Sequence, residues 1–226
     1  MRKTTCRTLF ASFVILLALA ARPVLAAGPD GQTYRITITN LTKQQVLTPP
    51  ILVSHRESLS LFTLAEPASP ELAALAEGGN TQPLTALLGT LPEVFDLVNA
   101  TGPIPPGSSI ILEINSRGKF NRLSLAGMLA TTNDGFFALS GVSFPTTRGA
   151  KSLTAVAYDA GSERNTEACS DVPGPPCAAD SGNQRVTDGA EGFVHVHNGI
   201  HGGGELSPAS LDWHNPVAKV DIRRIN

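Results

Sequence analysis

Tyr34-Arg35-Ile36-Thr37-Ile38-Thr39 alternates polar and apolar side chains and is rich in β-branched residues. Successive side chains of a strand point to opposite faces, so this period of two predicts a strand with one buried and one solvated face. Similar pieces lie at residues 94–98, 109–114, 123–129, 136–139, 153–158, 192–197 and 217–225, separated by Gly, Pro, Asn and Asp. About eight short strands punctuated by turn residues predict an all-β fold, an antiparallel β-sandwich.

Two short helical insertions interrupt the strands. Ser69-Pro70-Glu71 supplies an N-cap, a proline suited to the first helical position and an acidic first turn. The helix runs through Leu72-Ala73-Ala74-Leu75-Ala76 and stops at Gly78-Gly79. Residues 83–88 offer a second, shorter helix before Gly89. No composition shift divides residues 27–226, which are read as one domain.

The chain has 226 residues, 42% of them apolar, and a formal net charge of -2, so it can fill a core and has no basic block for nucleic acid. Residues 1–26 read as a secretory signal peptide: Arg2, Lys3 and Arg7 precede an apolar run that ends near the small residues of Val24-Leu25-Ala26. Four of the 17 basic residues and none of the 19 acidic ones lie there, which leaves 13 basic against 19 acidic groups and a charge of -6. The exported domain is expected in the periplasm or the medium, without a transmembrane span. Cys6 leaves with the signal, and Cys169 and Cys177 remain as an even pair in an oxidising compartment, where they are expected to bond to each other. The stiff segment between them, Ser170-Asp171-Val172-Pro173-Gly174-Pro175-Pro176, is expected to be a surface excursion that buries little.

Carboxylates cluster at predicted strand ends. Asn133-Asp134-Gly135-Phe136 leads into a strand, and Tyr158-Asp159-Ala160-Gly161-Ser162-Glu163 leaves one. A turn through Gly161 would carry Asp159 and Glu163 round to one cation, and Ca²⁺ takes six to eight oxygen ligands in flexible geometry. By spacing alone the plain reading is the stronger, because Asp-Gly and Asp-Ala-Gly are common turn formers. These loops, together with Thr48-Pro49-Pro50-Ile51-Leu52-Val53, Leu72-Ala73-Ala74-Leu75-Ala76-Glu77 and Asp212-Trp213-His214-Asn215-Pro216, give the chain its resemblance to the spondin N-terminal domain family, over most of residues 34–225. The resemblance implies a C2-like β-sandwich holding calcium in loop carboxylates at one end. Carried onto this sequence, the ligands are Asp134, Asp159 and Glu163. Glu163 stands where the family pattern has an aspartate, and Gly135 separates Asp134 from its aromatic neighbour.

Four of the five histidines fall in two short stretches, His195, His197 and His201 in one and His214 in the other. On a strand over 192–197, His195 and His197 share a face and can share a transition metal, with His201 or His214 as a third ligand and Glu205 or Asp212 as a carboxylate. The plain alternative is a polar strand face followed by a glycine-rich turn. His201-Gly202-Gly203-Gly204 resembles a lipase oxyanion element, but the chain has no G-x-S-x-G elbow. With no P-loop, Rossmann fingerprint or H-E-x-x-H helix, the expectation is a non-enzyme. Trp213 is expected to pack over the end of the sandwich, and Asn40-Leu41-Thr42 and Asn99-Ala100-Thr101 match the glycosylation pattern. The leading expectation is a secreted or periplasmic calcium-binding module for adhesion to a protein, a polysaccharide or an anionic surface. The alternative is a periplasmic zinc or copper protein using His195, His197 and His201.

Overall fold

β1 (Gly31–Asn40) carries the alternation read from the sequence: Tyr34, Ile36 and Ile38 are buried while Arg35 is exposed. The computed structural model describes residues 31–226 except 148, 180, 181 and 183, so the segment read as a signal peptide, 1–26, lies outside the described residues. Eight further strands follow: β2 (Ile51–His55), β3 (Val94–Asn99), β4 (Ser109–Arg117), β5 (Arg122–Met128), β6 (Gly135–Ser143), β7 (Ala150–Asp159), β8 (His195–Val196) and β9 (Ala218–Arg224). They pair antiparallel in the order β3-β2-β5-β6-β7-β9-β1-β4, with β8 added to β7. Two halves face each other, and β7 belongs to both. Ala150–Ala155 pairs with β9, whereas Val156–Asp159 pairs with β6. The outer strands nearly meet: Asp96 Oδ2 on β3 accepts from the backbone and side-chain nitrogens of Asn115 on β4, at 2.7 and 3.0 Å. The result is all-β and close to a barrel.

One core lies between the halves, where Tyr34, Ile36 and Ile38 meet Leu52, Leu125, Phe137, Val220 and Ile222. A second core lies outside β2, β5 and β6. There α1 (Pro70–Gly78) and α2 (Gln82–Leu88) press Leu72, Leu75, Leu84 and Leu88 onto Ile51, Val53, Ala126 and Phe136. The Ser69 side chain accepts from Leu72 N at 3.2 Å, and Gly79 closes α1 at φ 66°, a conformation open to glycine without strain. A short α3 (Pro208–Leu211) is an element the sequence pattern had not shown. Among the described residues no helix is long and apolar enough to cross a membrane.

Three expectations change. β2 had been missed because all five of its residues are buried, under the helices on one face and in the main core on the other, which erases alternation. β8 spans two residues rather than 192–197, since Val194 exchanges backbone hydrogen bonds with the 65–66 loop instead of with β7. Cys169 and Cys177 are bonded, but the loop they close is no loose excursion: Val172 and Cys177 are fully buried in the main core. Trp213 packs into that core at the sandwich end, 8% exposed. Asn40 is buried and donates to the carbonyls of Gln45 and Ile104, so its side chain is committed to the fold.

Candidate metal centre

The register of β6 against β7 sets Gly135 opposite Asp159, which brings Asp134 and Asp159 to neighbouring strand ends. Both are fully buried. Gly161 then turns the chain at φ +64°, its N–H donates to Asp159 Oδ1 at 2.8 Å, and a Cβ there would lie 2.3 Å from the carbonyl oxygen of Phe193. The turn aims the next two amides at Asp134. Its Oδ2 accepts from Ser162 N (2.7 Å), Ser162 Oγ (3.2 Å) and Glu163 N (3.0 Å). Asp134 Oδ1 is equally buried and has no partner.

The charges in this pocket are crowded. Burial, and then the neighbouring charge of Asp159, push the Asp134 carboxyl up to about 7 despite the three donors on Oδ2. Glu163, 3% exposed, accepts from Val186 N at 3.2 Å and is pushed up to about 8, by burial first and then by the charges of Glu77 and Asp134. Arg185, which pairs with Glu77 at 2.9 Å, offsets this only in part.

On its other side Asp159 faces the histidines. Asn165 Nδ2 donates to its Oδ2 at 2.7 Å, His195 Nε2 lies 3.5 Å from Oδ1, and His197 Nε2 lies 3.9 Å from Oδ2. The two rings use Nδ1 in opposite ways. His195 Nδ1 sits 3.0 Å from the carbonyl oxygen of Val196, an acceptor, so Nδ1 carries a proton. His197 Nδ1 instead accepts from Gly199 N at 3.0 Å, which assigns the proton to Nε2. Burial lowers the His197 pKa and keeps that ring neutral.

A cavity of about 180 Å³ opens here between Asp159, Asn165, Glu191, His197 and His201. A cavity of about 690 Å³ lies at the opposite end of the sandwich around Tyr34, Arg117 and Phe144, with no carboxylate or imidazole among the described residues that line it. Among the described residues, the group of potential ligand atoms lying within 4.8 Å of one another is Asp159, Glu191 and His195. Of the candidate trio His195, His197 and His201, the structure places His195 in that group and the other two on the cavity wall. Asp134 and Glu163 stand outside it, behind Asp159.

The remaining candidates are engaged elsewhere. Glu205 Oε2 accepts from Cys169 N at 3.1 Å, and Asp212 Oδ1 accepts from Ile200 N at 3.0 Å. The amides of the His201-Gly202-Gly203 turn close on Glu167, which the sequence reading had passed over. Its Oε1 accepts from His201 N at 2.6 Å, and its Oε2 from Gly202 N at 2.6 Å and Gly203 N at 2.7 Å. The turn is a nest for an internal carboxylate. Glu191 and Asn165 had also been passed over. Glu191 is placed by a tertiary contact: Gly192, at φ +81°, donates to the Gly161 carbonyl at 2.8 Å, which brings the neighbouring carboxylate back to the end of β7.

No protein-family model matches the chain, and no curated protein matches it either.

Proposed function

We propose that the chain is an exported, non-enzymatic β-sandwich module of the spondin N-terminal kind that holds Ca²⁺ where β6 begins and β7 ends, with Asp134, Asp159 and Glu163 as its carboxylate ligands. The observation that carries this reading is the buried, partnerless Oδ1 of Asp134 next to a second buried carboxylate. An oxygen in that position costs folding free energy unless a cation or a proton meets it. The donors around it are carboxylate oxygens, which suit a hard cation. The ion supplies positive charge that Arg185, paired with Glu77, provides only in part. Its loops form one end of the sandwich, where a protein, a polysaccharide or an anionic surface can be met.

Calorimetric titration of the chelator-stripped exported protein with Ca²⁺ tests this. One equivalent should bind with a dissociation constant at or below the roughly 10⁻⁴–10⁻³ M of extracellular modules, and Asp134→Asn should abolish it. A wild-type protein that takes up no Ca²⁺ at millimolar concentration sinks the reading.

A further inference from the structure

His195 and Asp159 meet at a separation longer than that of a charge-assisted hydrogen bond. The His195 Nδ1 proton is committed to the Val196 carbonyl, which leaves Nε2 facing Asp159 Oδ1 at 3.5 Å. That nitrogen is buried and has no hydrogen-bond partner. A charged hydrogen bond between the two groups would draw them to about 2.7–2.9 Å. Two ligand atoms each about 2.0–2.2 Å from a tetrahedral metal stand roughly 3.4 Å apart. The observed separation of 3.5 Å matches that of two ligands of one ion.

From this we infer that Asp159, Glu191 and His195 form a site for a divalent transition metal of the zinc class, distinct from the calcium site proposed above. The Glu191 carboxylate is the third ligand atom within 4.8 Å of the other two. One imidazole and two carboxylates form a borderline donor set that suits Zn²⁺ better than Ca²⁺, which prefers oxygen throughout. The carbonyl of Val196 fixes the ring of His195, and Asn165 Nδ2 and Gly161 N hold the carboxylate of Asp159, the outer-shell contacts that orient metal ligands. A second, independent observation points into the same space. His197 is 6% exposed, lines the cavity, and directs an Nε2–H with no hydrogen-bond partner toward it. With three protein ligands the metal keeps a position open to the cavity, whose volume of about 180 Å³ admits a few waters or a small anion. The Nε2–H of His197 is then a hydrogen-bond donor to whatever oxygen occupies that position.

Asp159 is common to both sites, so the test uses residues that belong to one alone. Chelator-stripped protein is titrated calorimetrically with Zn²⁺, and with Co²⁺ while its visible absorption is recorded. One equivalent of each metal is expected, with at least tenfold weaker binding in Glu191→Gln and in His195→Gln, and binding within twofold of wild type in Glu205→Ala, whose carboxylate is held by Cys169 N outside both sites. Glu191 is exposed, so its variant tests the site even if the His195 variant loses its fold. Absence of stoichiometric Zn²⁺ binding overturns the inference, as does binding that Glu191→Gln leaves intact or that Glu205→Ala removes. Zn²⁺ failing while Ca²⁺ binds removes this site alone, and the reverse removes only the calcium reading.

Discussion

Two buried carboxylates in the same loop end, linked through the hydrogen bond from Glu167 N to Asn133 Oδ1 at 3.2 Å, are treated in opposite ways. Glu167 is 4% exposed and both of its oxygens are filled by backbone amides, from His201, Gly202 and Gly203. To deliver it the chain accepts φ 55° at a non-glycine residue, a local cost of about 1 kcal/mol. Asp134 is fully buried and only one of its oxygens is met, while Asp159 sits alongside. The same fold can therefore satisfy a buried carboxylate entirely with its own amides. Where it leaves one half-met, beside another of like charge, the oxygen is open to a proton or, on the reading proposed above, to a cation.

The largest expected effect breaks the satisfied member of the pair. Glu167→Ala removes three charge-assisted hydrogen bonds but leaves amides on an exposed turn that water can reach, so a loss of about 3 kcal/mol is expected rather than the sum of three such bonds. Urea unfolding measures it. Glu205→Ala, which removes a single exposed contact to Cys169 N, is the control and should cost under about 1 kcal/mol. Equal effects of the two would mean that the nest is incidental.

Next in size is a pH effect that comes from the unsatisfied member. A carboxyl whose folded pKa lies above its unfolded value binds more protons folded than unfolded between the two, so stability falls as pH rises through that interval. Asp134 at about 7 and Glu163 at about 8 both behave this way. His55 and His197, held below the usual imidazole value chiefly by burial, act in the opposite sense as pH falls below about 6.5, where the unfolded chain gains a proton that the folded one refuses. From pH 6.5 to 8 the carboxyls dominate, and the metal-free protein should lose about 2–3 kcal/mol, seen as a falling Tm. Saturating Ca²⁺ at pH 8 should restore most of it. A flat or rising Tm across this window would place the carboxyls in a less crowded setting than the one described.

The contrast between the two carboxylates also marks where the sequence was legible. β1 could be read because Tyr34, Ile36 and Ile38 face one core and Arg35, Thr37 and Thr39 do not. α1 could be read because Ser69, Pro70 and Gly79 state its ends. β2 could not, since Leu52 points into one core and Ile51 and Val53 into the other. For the site, the strand-end positions of Asp134 and Asp159 were visible, as was the His195–His197 pair. The ligand role of Glu191 depends on a reversal at Gly192, and the role of Glu167 on amides 34 to 36 residues away. Partnerships of that kind arise from tertiary placement of loops, for which the local pattern carries no period. The roles of the two Nδ1 atoms likewise follow from whether each meets a carbonyl or an amide, so two residues alike in sequence come to play different parts.

The smallest expected effect is the most discriminating, because its sign differs from the rest. Asp134→Asn keeps an oxygen to accept from the amides of Ser162 and Glu163, and it replaces the partnerless oxygen with an NH₂ next to the Asp159 charge. Removing a charged form that the site disfavours should leave the metal-free protein at pH 8 about 1 kcal/mol more stable, and should lower the Glu163 pKa by removing one of the charges that raise it. The stabilisation gained on adding Ca²⁺ should vanish in the same variant. Glu167→Gln, the matching change at the satisfied carboxylate, should destabilise with or without Ca²⁺, because an amide NH₂ then faces N–H donors. Thermal melts of both variants at pH 8, with chelator and with Ca²⁺, decide the matter. If Asp134→Asn is destabilising in chelator, the carboxylate serves the fold as Glu167 does, and the distinction between a satisfied carboxylate and one kept for an ion fails.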